Sequence, residues 1–293
     1  MKLIKYFIFF FLSGVSVFAD RGSIPFEPYI KIFEPTQRAM IAWNGEEEIL
    51  LLSTDMSASD TTEVLEVLPL PNEPVVKKGD VETFRKATDL INEKIRLQNL
   101  IISKRNGGKE RGIEPAGKIT FHEKIGAHDI SVAHVLNKEG FIIWVEKYLN
   151  SLGVENPEIP EGLKKVVDEY LEENFTWFVF DVVSLDTEIK TNDAIQYRFK
   201  TDFLFYPVKI MNTEEGYTSM ELLVLTPELL RHFPGIPLET IELPHQPISI
   251  TSSELSELNE EMDELLEHKD NMKLRIWNIE GNISSFTEDL IAR

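Results

Sequence analysis

The chain of 293 residues contains no cysteine. That one absence removes disulfides, thiolate metal sites and cysteine nucleophiles together. Positive charge is also scarce. Thirty lysines and arginines stand against 50 aspartates and glutamates, for a formal charge of −20. Such a surface repels polyanions, so nucleic acid is a poor partner, and anionic lipid headgroups are poor partners too. It favours divalent cations or basic partners, and it keeps a chain in solution. No apolar run approaches the ~20 residues of a membrane-spanning helix. The nucleophile elbow G-x-S-x-G is missing beyond residue 19, and so are the dinucleotide glycine fingerprint and the phosphate loop. No cofactor, metal or catalytic residue is therefore predicted. Among 50 acidic residues, spacing alone selects no glycosidase-like pair.

What is present begins with "MKLIKYFIFFFLSGVSVFAD". Lys2 and Lys5 precede an apolar run, Tyr6 to Phe18. Small residues at Val17 and Ala19 suit cleavage between Ala19 and Asp20. These are the parts of a secretory signal peptide over residues 1–19. Leu12-Ser13-Gly14 resembles the start of a lipoprotein signal, but Val15 stands where the lipid-bearing cysteine would be. The expectation is an exported, soluble protein, periplasmic or extracellular, with no membrane span once the signal is removed. The mature chain keeps 293 − 19 = 274 residues and a charge of −20 − 2 = −22. That length is enough for a substantial core without disulfides.

Alternating and continuous apolar runs dominate the pattern. "AMIAW" (residues 39–43) and "EEILLLS" (residues 47–53) flank Asn44-Gly45, a hairpin signal. Val81, Phe84, Thr88, Ile91 and Ile95 recur at spacings of 3 and 4, as one helix from Asp80 to about Ser103. A glycine-rich loop with four basic residues follows at 104–112. Residues 118–136 read as strands broken near Gly126. Two helical stripes come next, one around Phe141 to Leu149 and one around Leu163 to Leu171. "FTWFVFDVV" (residues 175–183) reads as a covered strand. Residues 195–210 read as one half-buried antiparallel strand, and 219–227 as another. Four prolines in 233–250 suggest an extended surface tether. An acidic helix at 252–268 carries a stripe of Leu255, Leu258, Met262, Leu265 and Leu266, with Thr251 and Glu254 as a capping box. Residues 274–281 read as a closing strand. The class is α+β: a largely antiparallel sheet with several amphipathic helices packed on it. Three units follow the signal, at 20–112, 113–232 and 233–293.

Two stretches invite a metal reading. Asp55, Ser57, Ser59, Thr61, Glu63 and Glu66 fall at positions 1, 3, 5, 7, 9 and 12 of a calcium loop. Asp60, however, occupies position 6, where that loop needs glycine. Neither flank is helical, since Pro69 and Pro71 follow. A polar turn leading into a strand at residues 64–68 is the better reading. His122, His128 and His134 recur every six residues. His122-Glu123 starts like a zinc-protease motif but lacks the second histidine at helical spacing. Both stretches are read as non-metal.

Several segments taken together carry a resemblance. They are "QRAMIAWNGEEEILLLST", "VLEVLPLPNEPV", "IGAHDISVAHVL" with "WVEKYLNSLG", "YLEENFTWFVFDVV" and "FKTDFLFYPVKI". In this order they resemble the exported prokaryotic family called domain of unknown function 2330, across roughly residues 23–230. The resemblance implies export and a mixed α and β domain. It implies no reaction, cofactor or catalytic residue. This chain departs from many such relatives in having no cysteine near the mature N-terminus and in carrying Glu66 where an aromatic residue is common. The functional expectation is a non-catalytic binding or structural protein of the cell envelope, with the acidic helix 252–268 either docked on its own domain or gripping another envelope protein. The alternative is a carboxylate- or metal-dependent hydrolase acting on an envelope polymer.

Overall fold

The computed structural model describes residues 22–105, 128–212 and 216–293. Residues 1–21 lie outside it, and with them the signal sequence and its cleavage site at Ala19 and Asp20. The glycine-rich basic loop beyond Arg105, His122 and Gly126 lie outside it as well.

Strand β1 (Gly22–Pro25) comes first. β2 (Ile32–Trp43) and β3 (Glu47–Ala58) form a hairpin, followed by β4 (Thr62–Leu70), β5 (Val75–Lys78) and helix α1 (Glu82–Arg105). Next are β6 (His128–His134), α2 (Lys138–Ser151), α3 (Glu161–Glu172), β7 (Trp177–Leu185) and the short β8 (Lys190–Thr191). β9 (Ile195–Lys200), β10 (Leu204–Tyr206) and β11 (Tyr217–Thr226) lead to the last segment. It holds β12 (Ile241–Glu242), β13 (Ile248–Ile250), α4 (Ser252–Leu258), α5 (Glu260–Leu265), β14 (Met272–Asn282) and β15 (Leu290–Ala292).

The architecture is mixed α and β, and its sheets are mostly antiparallel. A nine-stranded sheet runs β12-β14-β11-β2-β3-β9-β5, with β13 added on β14 and β8 on β3. Its one parallel pairing joins β11 to β2. A four-stranded antiparallel sheet runs β1-β4-β7-β6, and β10 pairs with β15. The strands of the large sheet are apolar on both faces because both are covered. Ala39, Ile41, Leu50, Leu222 and Trp277 join the core shared with β4, β7, α2 and α3. Their neighbours Met40, Ile49, Leu51, Leu223 and Ile276 join a second core under α1, α4 and α5.

The hairpin turn is a three-residue loop. Gly45 takes φ +103°, which only glycine adopts cheaply, and the Asn44 side chain accepts from the amides of Glu46 (2.9 Å) and Glu47 (2.8 Å).

Four expectations change in detail. Residues 195–210 are not one half-buried strand. They split into β9, β10 and a 3₁₀ turn at Lys209–Met211, and Leu204 to Met211 is fully buried. The segment 233–250 is not a free tether, because β12, between Pro237 and Pro244, and β13, just after Pro247, both pair with β14. The acidic helix breaks at Asn259, whose extended backbone (φ −159°) caps α5 by accepting from the Met262 amide at 3.1 Å. Asparagine competes well with helix continuation in this way. The strand read at 274–281 is present as β14 but is not the last strand. β14 pairs with β11, β12 and β13, and β15 follows it.

Candidate functional site

The residues singled out by spacing disperse. Asp55 and Ser57 sit within β3. Asp55 is held by Arg38 (3.3 and 3.4 Å) and by the Thr191 hydroxyl (2.7 Å). Ser59 accepts the Lys31 amide at 3.0 Å, and Glu63 takes the Ser184 hydroxyl at 3.3 Å. Glu66 lies buried inside β4, in register with Ser23 on one side and Asp181 on the other. A strand-turn-strand cannot wrap these oxygens around one ion. His128 and His134 lie at opposite ends of β6, ~20 Å apart at 3.3 Å per residue. His128 is bonded through Nδ1 to Asp181 (2.6 Å), and its Nε2 lies 3.1 Å from the Asp193 carbonyl. His134 stacks on Trp177 with ring centres 4.5 Å apart. Among the described residues, no group of three or more histidines and carboxylates could hold a metal ion.

A different set of residues converges at one end of the large sheet, around a cleft of about 920 Å³. The hairpin tip supplies Trp43 to Gly45, the end of β11 and the loop after it supply 226–232, Glu173 stands just past α3, and Asp289, Ile291, Ala292 and Arg293 come from β15 and its two flanking residues. On the floor lies Asp289, which is 6% exposed. Its Oδ1 accepts three donors: the Tyr170 hydroxyl (2.7 Å), the Lys209 amide (2.8 Å) and the Val208 amide (2.9 Å). No partner of its Oδ2 is present among the described residues. Burial pushes the carboxyl up to about 6, against the amides, the tyrosine and Lys209, which favour the charged form. Burial, with Asp289 alongside, raises Tyr170 well above its usual range.

Lys209 is itself buried. Its ammonium is 2.7 Å from both oxygens of Glu173 and 4.3 Å above the Tyr170 ring. Next to this group, Glu48 is fully buried and accepts the Phe205 amide at 2.8 Å, and burial drives its carboxyl well above the ordinary value. Two carboxyls thus grip the backbone of 205–209, Glu48 from the hairpin and Asp289 from the strand end. Trp43, Leu204, Leu229 and Leu230 give the cleft an apolar wall. The arrangement suits a ligand with an apolar body and one polar head.

Sequence reading had placed Tyr170 only in an apolar stripe and had passed over Glu173, Lys209 and Asp289. One signal did point here. Trp43, Tyr170 with Glu173, and Lys209 come from three of the segments that carry the family resemblance. Asp289 lies beyond all of them, 80 residues or more from each group it binds.

A family model described as "Uncharacterized protein conserved in bacteria (DUF2330)" matches residues 19–232. No curated protein matches the chain. Among solved structures, baculovirus P35 is similar at 10% identity and TM-score 0.41, covering 78% of each chain. A mutated baculovirus P35 after caspase cleavage is similar at 13% identity and TM-score 0.37, covering 74% of this chain and 76% of that one.

Proposed function

This chain belongs to the bacterial family of uncharacterized proteins DUF2330, and from that premise we propose that it is an exported envelope protein that binds a ligand in the cleft floored by Asp289. The carrying observation is the cleft itself: about 920 Å³, one apolar wall, and a largely buried aspartate whose Oδ2 has no hydrogen-bond partner among the described residues. Export is supported by the N-terminal charge, the apolar run and the small residues before Asp20. The acidic surface and the absence of cysteine fit a protein that stays in solution on its core alone. No helix among the described residues is long and apolar enough to cross a membrane. We read the helices as amphipathic covers of the sheet, and the outward glutamates of α4 and α5 (Glu257, Glu260, Glu264) as the face offered to a basic envelope partner. The family match ends at residue 232, which supports reading 233–293 as an addition to the family body.

The hydrolase reading keeps one observation in its favour. A carboxyl held near 6 in a cleft has the property of a general acid. The nearby Glu173 is engaged through both oxygens by Lys209, so it is a poor second carboxylate for a glycosidase-like pair. Binding without turnover is therefore the better-supported reading.

The test is a titration of residues 20–293 with a neutral aromatic probe, phenethyl alcohol, followed by the indole N–H resonances. Trp43 lines the cleft and Trp277 is buried elsewhere, so a saturable shift confined to Trp43 and abolished by Leu229→Arg is expected. A flat response at Trp43 contradicts the reading. Hydrolysis of an envelope polymer that is lost in Asp289→Asn would move the assignment to an enzyme.

A further inference from the structure

Asp289 presents two unlike oxygens. Oδ1 already accepts three hydrogen bonds, which is close to its capacity. Oδ2 accepts none among the described residues, although the side chain is 94% buried (6% exposed). A buried charge is costly unless it is well paired. The nearest cation, Lys209, favours the charged form of Asp289 but is shared, because both oxygens of Glu173 hold its ammonium at 2.7 Å.

The charged and titratable groups that share the cleft with Asp289 can be taken by element. Helix α3 brings Tyr170 and Glu173, the 3₁₀ turn brings Lys209, and its own segment brings Glu288. The loop after β11 brings Glu228, Arg231 and His232, and the end of β15 brings Arg293, whose guanidinium lies 5.7 Å over the Phe203 ring. An incoming anion would meet Asp289 on the floor and the surplus negative field of a chain carrying −20. A neutral donor would satisfy Oδ2 but leave the buried charge offset only by the shared Lys209. A cation does both.

We infer that the cleft takes a cationic head group, a primary amine or guanidinium, seated on Asp289 Oδ2, with an apolar body along Trp43, Leu204 and Leu229. The inference rests on the cleft being a binding site and adds the chemistry of its ligand. It also couples binding to protons. Only ionised Asp289 accepts a cation well, and its carboxyl is held up to about 6. Affinity therefore falls with the ionised fraction, to roughly one tenth between about pH 7.5 and about pH 5.

The experiment is calorimetric titration of residues 20–293 with phenethylamine and with its neutral isostere phenethyl alcohol, at both pH values. The amine is expected to bind at least about tenfold more tightly than the alcohol at the higher pH, and to lose about tenfold at the lower. Asp289→Asn is expected to make the two probes equivalent and pH-independent. The wild-type comparison of probes and pH needs no variant, so it decides even if that chain folds poorly. Equal binding of amine and alcohol, both lost in Leu229→Arg, overturns the cation and leaves the cleft standing. PH-independent amine binding overturns the seat on Asp289. Failure of both probes overturns cleft and cation together.

Discussion

At Asp289 the fold works against ionisation, and the sign of the pH effect follows. Its folded value, about 6, lies above the ordinary 3.8. The folded state therefore holds a proton that the unfolded state has released between about pH 4 and pH 6, and stability from this group is lost as pH rises through that window. The full difference is roughly 3 kcal/mol at 1.36 kcal/mol per pH unit. Asp289→Asn keeps an acceptor for the amides and carries no charge. Urea midpoints at about pH 4 and about pH 7.5 should show that variant gaining on the wild type at the higher pH, and a constant difference would refute the assignment. Two histidines give an independent check. His245 is buried, accepts the Ile276 amide at 3.1 Å and faces the Gln246 carbonyl at 2.7 Å. Burial lowers its value, so its contribution to stability is present above about pH 6.5 and fades as pH falls below that. His268 is bonded to Asp263 at 2.6 Å, and that bond raises its value. Proton NMR titration should place the two imidazoles on opposite sides of 6.5, and Asp263→Asn should return His268 to the ordinary range.

Among the elements, α4 and α5 show what the sequence revealed and what it hid. The stripe from Leu255 to Leu266 is legible as a 3–4 spacing, and every member is buried in the second core. The capping box of Thr251 with Glu254 is present as well. The break at Asn259 is only partly legible: its cap of α5 is local, but its side-chain amide also reaches Gln196, 63 residues away, at 2.9 Å. The same holds for 233–250. Its prolines are visible, but the pairing of β12 and β13 with β14 is decided by partners 22 to 38 residues further on (250↔272 to 241↔279). Because the stripe is internal, Met262→Ala should cost about 2–5 kcal/mol and Thr251→Ala about 1 kcal/mol, both readable from denaturant midpoints. Substituting Glu257, Glu260 and Glu264 together by lysine should leave those midpoints nearly unchanged and abolish retention of a basic envelope partner. An unchanged partner profile would remove this face from the account. Truncation before Ser252 removes β14 and Asp289 along with the helices, so such a chain should show no cooperative unfolding; a normal transition would mean that β14 is dispensable.

For the whole molecule, composition set the limits early. The lack of cysteine and the excess of acid excluded several chemistries before any element was placed, and the apolar run at 175–183 marked β7 as a covered strand. The candidate site stayed hidden for a physical reason: its parts come from a hairpin tip, a helix end, a 3₁₀ turn and the last strand, each ordinary in its own sequence context. Three of them lie in segments that carry the family resemblance, which marks a region but names no atom. Export belongs to this scale too. N-terminal sequencing of the protein recovered from the envelope should begin at Asp20, and a chain retaining Met1 would contradict it.

The central claim is that a cation seats on the free oxygen of Asp289. The most direct measurement is the ¹³C titration of the Asp289 carboxyl in residues 20–293, alone and with saturating phenethylamine. The account predicts a midpoint near 6 for the free protein and a fall of at least about one unit with the amine, since a tenfold preference for the ionised form is one pH unit. A midpoint that the amine does not move would contradict it.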